Sequence, residues 1–213
     1  PPLPSDPAFV AQQWQYGVYG SSIGQAGLFT TDLDGDGTPE IIASASAGGF
    51  SDNVLWYVVR KNLNGGYEQV WRSPFYGVTI VRLLLADMNG DGKSDVVVAL
   101  ADGAIHIYDG PTLTEIRTLT VSSQLRDLAV DDLDSDGNKE IVTSDGIGIS
   151  VYNANSGALK WSVNTGGGNS IAVGNVDTDP ALEIVTTTYG GKGYVLNCLT
   201  GAVKWEYINS FGA

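Results

Sequence analysis

The chain has 213 residues, 43% hydrophobic and 16% charged, a balance that describes a folded chain and excludes a disordered one. A formal net charge of −13 argues against nucleic acid or an anionic membrane as partner. No apolar run approaches the roughly 20 residues of a membrane span, so membrane insertion is not expected.

One cysteine, Cys198, excludes an internal disulfide and any cysteine-based metal cluster. One histidine, His106, is the only residue around which a Ser-His-Asp site could be built. It alternates with apolar neighbours in Ala104-Ile105-His106-Ile107-Tyr108, which reads as a strand position rather than a catalytic one. The chain begins Pro1-Pro2-Leu3-Pro4 without Met or signal peptide, as a processed or excised chain would.

In chain order, residues 1–19 read as a linker and the outer strand of a preceding or shared unit, with Phe9-Val10-Ala11-Gln12-Gln13-Trp14 as that strand. Four units follow, at 20–75, 76–122, 123–165 and 166–208, and 209–213 opens a next one. Each unit has an acidic loop, beginning at Asp32, Asp87, Asp132 and Asn175, spaced by 55, 45 and 43 residues. β-Prone runs precede the loops at 27–31, 81–86, 128–131 and 171–174. Others follow at 41–46, 96–100, 141–144 and 184–188. Further runs, such as 147–152 and 159–163 or 193–197 and 202–207, are joined by Gly/Asn/Ser turns. Short strands separated by such turns signal antiparallel hairpins. Four strands per unit of about 45 residues is the signature of a β-propeller blade. The expected fold is therefore all-β, an array of about four four-stranded antiparallel blades plus one extra N-terminal strand, without significant helix. Trp71, Trp161 and Trp205 recur in the last strand of three units, where packing between neighbouring blades is expected.

The loops place oxygen ligands at alternate positions. The first offers Asp32, Asp34, Asp36, the carbonyl of Thr38, and Glu40. The second offers Asp87, Asn89, Asp91, the carbonyl of Lys93, and Asp95; the third offers Asp132, Asp134, Asp136, the carbonyl of Asn138, and Glu140. A hard cation such as Ca²⁺ takes six to eight oxygens, and Gly in the sixth place allows the sharp turn that gathers them. An EF-hand would close with an acid in the twelfth place, yet Ala43, Val98, Thr143 and Thr186 stand there. The closing acid is instead in the ninth place, directly before a β-branched run. The fourth loop has Asn175 first and Pro180 in the glycine place, and retains Asp177, Asp179 and Glu183 as ligands. Proline cannot adopt the positive φ that glycine permits. An Asx turn held by hydrogen bonds alone is the alternative reading of all four loops.

This pattern, Asp-x-Asp/Asn-x-Asp-Gly-x-x-Asp/Glu before an Ile/Val strand once per unit, resembles the FG-GAP/VCBS repeats of integrin-α-type propellers over about residues 20–208. The Ser156-Gly157-Ala158-Leu159-Lys160-Trp161 and Thr200-Gly201-Ala202-Val203-Lys204-Trp205 segments also resemble quinoprotein-type repeats, read as shared blade packing. The FG-GAP resemblance implies Ca²⁺ at three sites and at a degraded fourth, an extracellular or cell-surface location, and a non-enzymatic module that binds or adheres to a protein or glycan. Tyr16, Tyr19, Phe75 and Tyr76 are the aromatics available to a glycan, although core packing accounts for them equally well. Two alternatives remain. One is a self-assembling structural protein, a homo-oligomer or filament joined through strand edges. The other is the propeller portion of a polysaccharide-acting enzyme, since some polysaccharide lyases carry similar loops.

Overall fold

The structure, a computed structural model, describes residues 23–46, 53–122 and 124–208. The proposed N-terminal strand 9–14, the aromatics Tyr16 and Tyr19, and residues 209–213 lie outside these. The described chain is all-β, without helix, and forms four four-stranded antiparallel sheets. The first sheet holds β1 (Ile23–Thr31), β2 (Glu40–Ser46), β3 (Asn53–Lys61) and β4 (Tyr67–Arg72). The second holds β5 (Ile80–Ala86), β6 (Asp95–Leu100), β7 (Ala104–Tyr108) and β8 (Glu115–Thr120). The third holds β9 (Asp127–Asp131), β10 (Glu140–Ser144), β11 (Gly148–Asn153) and β12 (Leu159–Asn164). The fourth holds β13 (Ser170–Gly174), β14 (Glu183–Thr187), β15 (Lys192–Asn197) and β16 (Val203–Ile208). In every sheet strands neighbour one another in chain order. Tight turns suffice for such antiparallel meanders.

The second strand of each sheet is the one most enclosed. In β6 all six residues of Asp-Val-Val-Val-Ala-Leu are buried, and in β10 all five of Glu-Ile-Val-Thr-Ser. Successive side chains of a strand point to opposite faces. Val96 and Val98 accordingly join a cluster with Leu33, Ile42 and Trp56 of the first sheet region, while Val97 and Ala99 join Leu128, Ile141 and Ala154 of the third. Ile141 and Val142 divide in the same way between the second and third clusters. Each inner sheet is thus a wall shared by two cores, which is why its second strand is apolar throughout. The other face of the first sheet carries a further buried cluster, including Ala43, Leu55 and Tyr57.

The sheets follow one another through their first strands, β1 beside β5, β5 beside β9, and β9 beside β13. These four strands line a common cavity of about 570 Å³ with Phe29, Leu83, Leu84, Ala129 and Val173 among its walls. Fourth strands lie at the open side; β12 is largely exposed and β16 wholly so.

Two of the three tryptophans expected between sheets pack there. Trp71 lies edge-on to Tyr108 of the next sheet at 5.5 Å, and the Trp161 indole donates to the carbonyl of Cys198, 3.0 Å away in the next sheet. Gly201, with φ of +71°, leaves room for that indole: a Cβ there would lie 2.7 Å from the ring. Trp205 differs. It is 54% exposed and, among the described residues, stacks on Tyr207 of its own strand. In the second sheet Arg117 occupies the tryptophan register, and its guanidinium donates to the carbonyl of Ala154 at 3.0 Å.

Candidate metal centres

Each acidic loop joins the first strand of its sheet to the second. The carboxylate in the first place organises the turn. Asp32 accepts from the N–H groups of Gly35 and Gly37 at 2.8 and 2.9 Å, and Asp87 from Gly90 and Gly92 at 2.7 and 2.9 Å. Asp132 accepts from Asp136 and Gly137. The third and fifth places make Asx turns, with Asp36 N–H donating to Asp34, Thr38 to Asp36, Asp91 to Asn89, and Lys93 to Asp91. The third loop repeats this from Asp136 to Asp134 and from Asn138 to Asp136. Glycine in the sixth place adopts φ of +89°, +82° and +87° at Gly37, Gly92 and Gly137, the left-handed region that side chains avoid. The hydrogen bonds of the Asx-turn reading are therefore present, and they leave carboxylate oxygens over.

In the first and third loops the carboxylates of Asp32, Asp34, Asp36 and of Asp132, Asp134, Asp136 gather with ligand oxygens within 4.8 Å of one another. In the fourth, the gathered group is Asp177, Asp179 and Glu183. Asn175 contributes no charge, and its amide donates to the carbonyl of Asp179 at 2.6 Å. The second loop has an amide, Asn89, in the third place, so its acids are Asp87 and Asp91 with Asp95 behind them.

The ninth-place acids are the most buried members. Glu40, Asp95, Glu140 and Glu183 each have no exposed surface. Each accepts from the second-place N–H of its own loop: Leu33, Met88, Leu133 and Val176, at 2.8 to 3.0 Å. Such a bond ties the loop to the start of the second strand. The remaining oxygen meets a cation in three loops. Arg60 bridges Glu40 and Asp34, Lys160 bridges Glu140 and Asp134, and Lys204 meets Glu183, Asp179 and Asp177. The second loop differs: Asp95 receives the N–H of Gly110 at 3.0 Å instead, and Asn89 reaches Asp109 at 3.2 Å.

These partners set the charge states. Burial pushes the Asp87 carboxyl up, but the N–H groups of Gly92, Gly90, Asp91 and Asn89 outweigh it and hold it below the usual carboxylate value. Hydrogen bonding to Lys160 holds Asp134 low, and the bond to Lys204 does so for Asp177. Burial raises Asp95.

The first three loops fit a hard divalent cation, since the donors are all oxygen and the second carboxylate oxygen of Asp36, Asp91 and Asp136 carries no hydrogen bond among the described residues. In the first and third, a cation would share Asp34 or Asp134 with the basic side chain. The fourth loop does not fit, because an ammonium already contacts all three of its acids. The bases were not foreseen from the sequence. For the two lysines the signal was the Lys-Trp pair repeated at Lys160-Trp161 and Lys204-Trp205; Lys160 and Trp161 line one cleft beside Glu140.

A family model described as FG-GAP-like repeat matches residues 32–98 and 87–143, together more than half of the chain. No curated protein matches. Among solved structures, BBS1N in complex with ARL6DN is similar at 15% identity and a TM-score of 0.66, covering 90% of this chain and 58% of that one. The biofilm matrix protein Bap1 of V. cholerae is similar at 20% identity and a TM-score of 0.53, covering 92% of this chain and 42% of its own. The computationally designed Ika4 protein matches over 86% of this chain and 99% of its own, at 14% identity and a TM-score of 0.55. The chain thus spans less than two thirds of BBS1N and of Bap1.

Proposed function

We propose, on the premise that this chain belongs to the FG-GAP-like repeat family, that it is a non-enzymatic, calcium-stabilised module of propeller type that binds or adheres outside the cell. Its four sheets are blades around a common axis with β1, β5, β9 and β13 innermost, an arrangement supported by the serial contacts of those strands and the cavity they line. The observation that carries the reading is one oxygen-only acidic loop repeated at the same place in successive stacked sheets, which suits a scaffold staple better than a reaction centre. Asp32, Asp34, Asp36 and the Thr38 carbonyl would hold one cation. Asp87, Asn89, Asp91 and the Lys93 carbonyl would hold a second, and Asp132, Asp134, Asp136 and the Asn138 carbonyl a third. The ion would neutralise clustered carboxylates and cross-link the turn. Binding only to the folded form, it adds about 2.7 kcal/mol per site at a hundredfold excess over Kd.

His106 supports the non-enzymatic part. It pairs with Glu115 at 2.8 Å, with Thr118 alongside and the Tyr76 ring 5.1 Å away, as a cross-strand structural cluster would. Ligands remain a protein or a glycan. One structural neighbour was solved with ARL6DN and another is a biofilm matrix protein, which favours a protein or matrix partner. A groove of about 540 Å³ between the second and third loops offers Asn89, Arg117, Asn138, Lys139 and Asn155 as hydrogen-bonding side chains.

The test is thermal melting and ligand-panel binding in Ca²⁺ and after chelation. A melting temperature unmoved by chelator would overturn the calcium reading. Release of unsaturated ends from a polysaccharide would overturn the non-enzymatic one. A second reading, assembly of copies through their ends, is favoured by the exposure of Val203, Trp205, Tyr207 and Ile208 on β16. A native mass equal to one chain in Ca²⁺ would sink it.

A further inference from the structure

The fourth loop and its lysine form a closed set. Lys204 Nζ lies 2.7 Å from Asp179 and 2.8 Å from Glu183, and it also contacts Asp177. These three acids are the ones gathered in that loop. An ammonium has three N–H donors and no acceptor, so three carboxylates satisfy it.

The register explains how Lys204 gets there. In β15–β16, Val195 pairs with Trp205 and Leu196 with Val203, which leaves Lys204 as the extra residue of a β-bulge. A bulge re-aims its side chain. The same bulge recurs in every sheet. Lys160 is its extra residue between Val151↔Trp161 and Tyr152↔Leu159, Ile116 between Ile107↔Arg117 and Tyr108↔Glu115, and Val70 between Val58↔Trp71 and Val59↔Gln69. Where the bulge residue is lysine, it reaches the loop acids; where it is Val70 or Ile116, the side chain is exposed and apolar. The first sheet draws its base from β3 as Arg60, and the second has no base on its loop acids among the described residues.

We infer that Lys204 is the resident cation of the fourth loop, holding the place a divalent ion would take, so that this loop is a metal-independent clamp. Lys160, at the same bulge of the third sheet, meets only Asp134 and Glu140 and leaves Asp132 and Asp136 to a cation, whereas Lys204 meets every acid gathered in its loop. The inference rests on the calcium reading only for what it contrasts with. Pro180 and Asn175, which weaken the loop for metal, fit a site served by a side chain.

Two measurements test it. First, Lys Nζ NMR of the wild-type protein should show a Lys204 ammonium, assigned by its loss in Lys204→Met, that is protected from exchange and unmoved by millimolar Ca²⁺. Release of that signal by Ca²⁺ overturns the inference and leaves the calcium reading standing. Second, calorimetric titration should show Lys204→Met binding one more Ca²⁺ per chain than wild type, with its lowered melting temperature restored by Ca²⁺. An unchanged stoichiometry overturns the inference. If wild type binds no Ca²⁺ and the variant binds one, the calcium reading fails and this one stands. Should Lys204→Met fail to fold even in Ca²⁺, the signal is assigned through Lys204→Arg, and its response to Ca²⁺ decides.

Discussion

Trp161 and Trp205 stand in the same register of their sheets, opposite Val151 and Val195, so replacing each by alanine separates packing between sheets from packing within one. Trp161 is covered by the fourth sheet, and its indole donates across the junction to Cys198. Truncation there loses that hydrogen bond, worth about 1 kcal/mol, and much of an aromatic contact area of roughly 200 Å² at about 25 cal/mol/Å². Partial relaxation brings the expected cost to about 3 kcal/mol. Trp205 is 54% exposed and has no next sheet to bond among the described residues, so Trp205→Ala should cost about 1 kcal/mol. For a chain of this size each kcal/mol moves Tm by roughly 2–4 °C. Trp161→Ala should therefore melt about 4–8 °C below Trp205→Ala by calorimetry in the same buffer. Equal losses would refute the view that the tryptophan register is a joint between sheets.

Other outcomes follow from the loops and turns. Glu140→Ala removes a fully buried acid, strands the Leu133 N–H and leaves Lys160 with Asp134 alone, so urea unfolding should show a loss of about 3 kcal/mol. Asp136→Ala, at the exposed rim, should cost less than about 1 kcal/mol without metal and abolish one Ca²⁺ equivalent in titration. Asp145 accepts from Ser122 and from the N–H groups of Ile147 and Gly148. Burial pushes its carboxyl up, but these bonds and the nearby Arg126 hold it below the usual value. A depressed folded pKa means stability that is present above the unfolded value of about 3.9 and lost as pH falls through the folded one. Asp145→Asn should flatten the fall in Tm below about pH 4; an unchanged slope would remove Asp145 from the account. Arg117→Ala should weaken the junction with the third sheet, through the lost bond to Ala154, by about 1–2 kcal/mol; a neutral result would count against Arg117 as the counterpart of Trp161.

Strands and loops were legible because their signals are local. The β-branched run in Asp95-Val96-Val97-Val98-Ala99-Leu100, a turn at Asn155-Ser156-Gly157, and glycine in the sixth loop place each act over a few residues. What escaped depends on register. Whether Lys204 or Ile116 faces the loop is decided by a one-residue bulge, which composition does not announce. Arg117 was not recognised as the counterpart of Trp161, because chemistry differs while backbone position is shared. By spacing alone the ninth-place acids are ligands closing a metal shell. Their complete burial and their bonds to the second-place N–H follow from standing at the first residue of an enclosed strand. Trp205 groups with Trp71 and Trp161 on sequence, yet its environment depends on whether another sheet covers it.

The sharing of each inner sheet between two cores has a consequence for how the molecule opens. In a linear stack, an interior sheet cannot detach without breaking two interfaces, whereas a terminal sheet breaks one, so stability follows nearest-neighbour statistics. The fourth sheet has one covered face and an exposed β16, and the first has a buried cluster on each face. Amide exchange should therefore be fastest in β16 and β15, slowest in β6 and β10, and graded along the chain rather than uniform. Among the described sheets, the ammonium-clamped fourth is then the first to open.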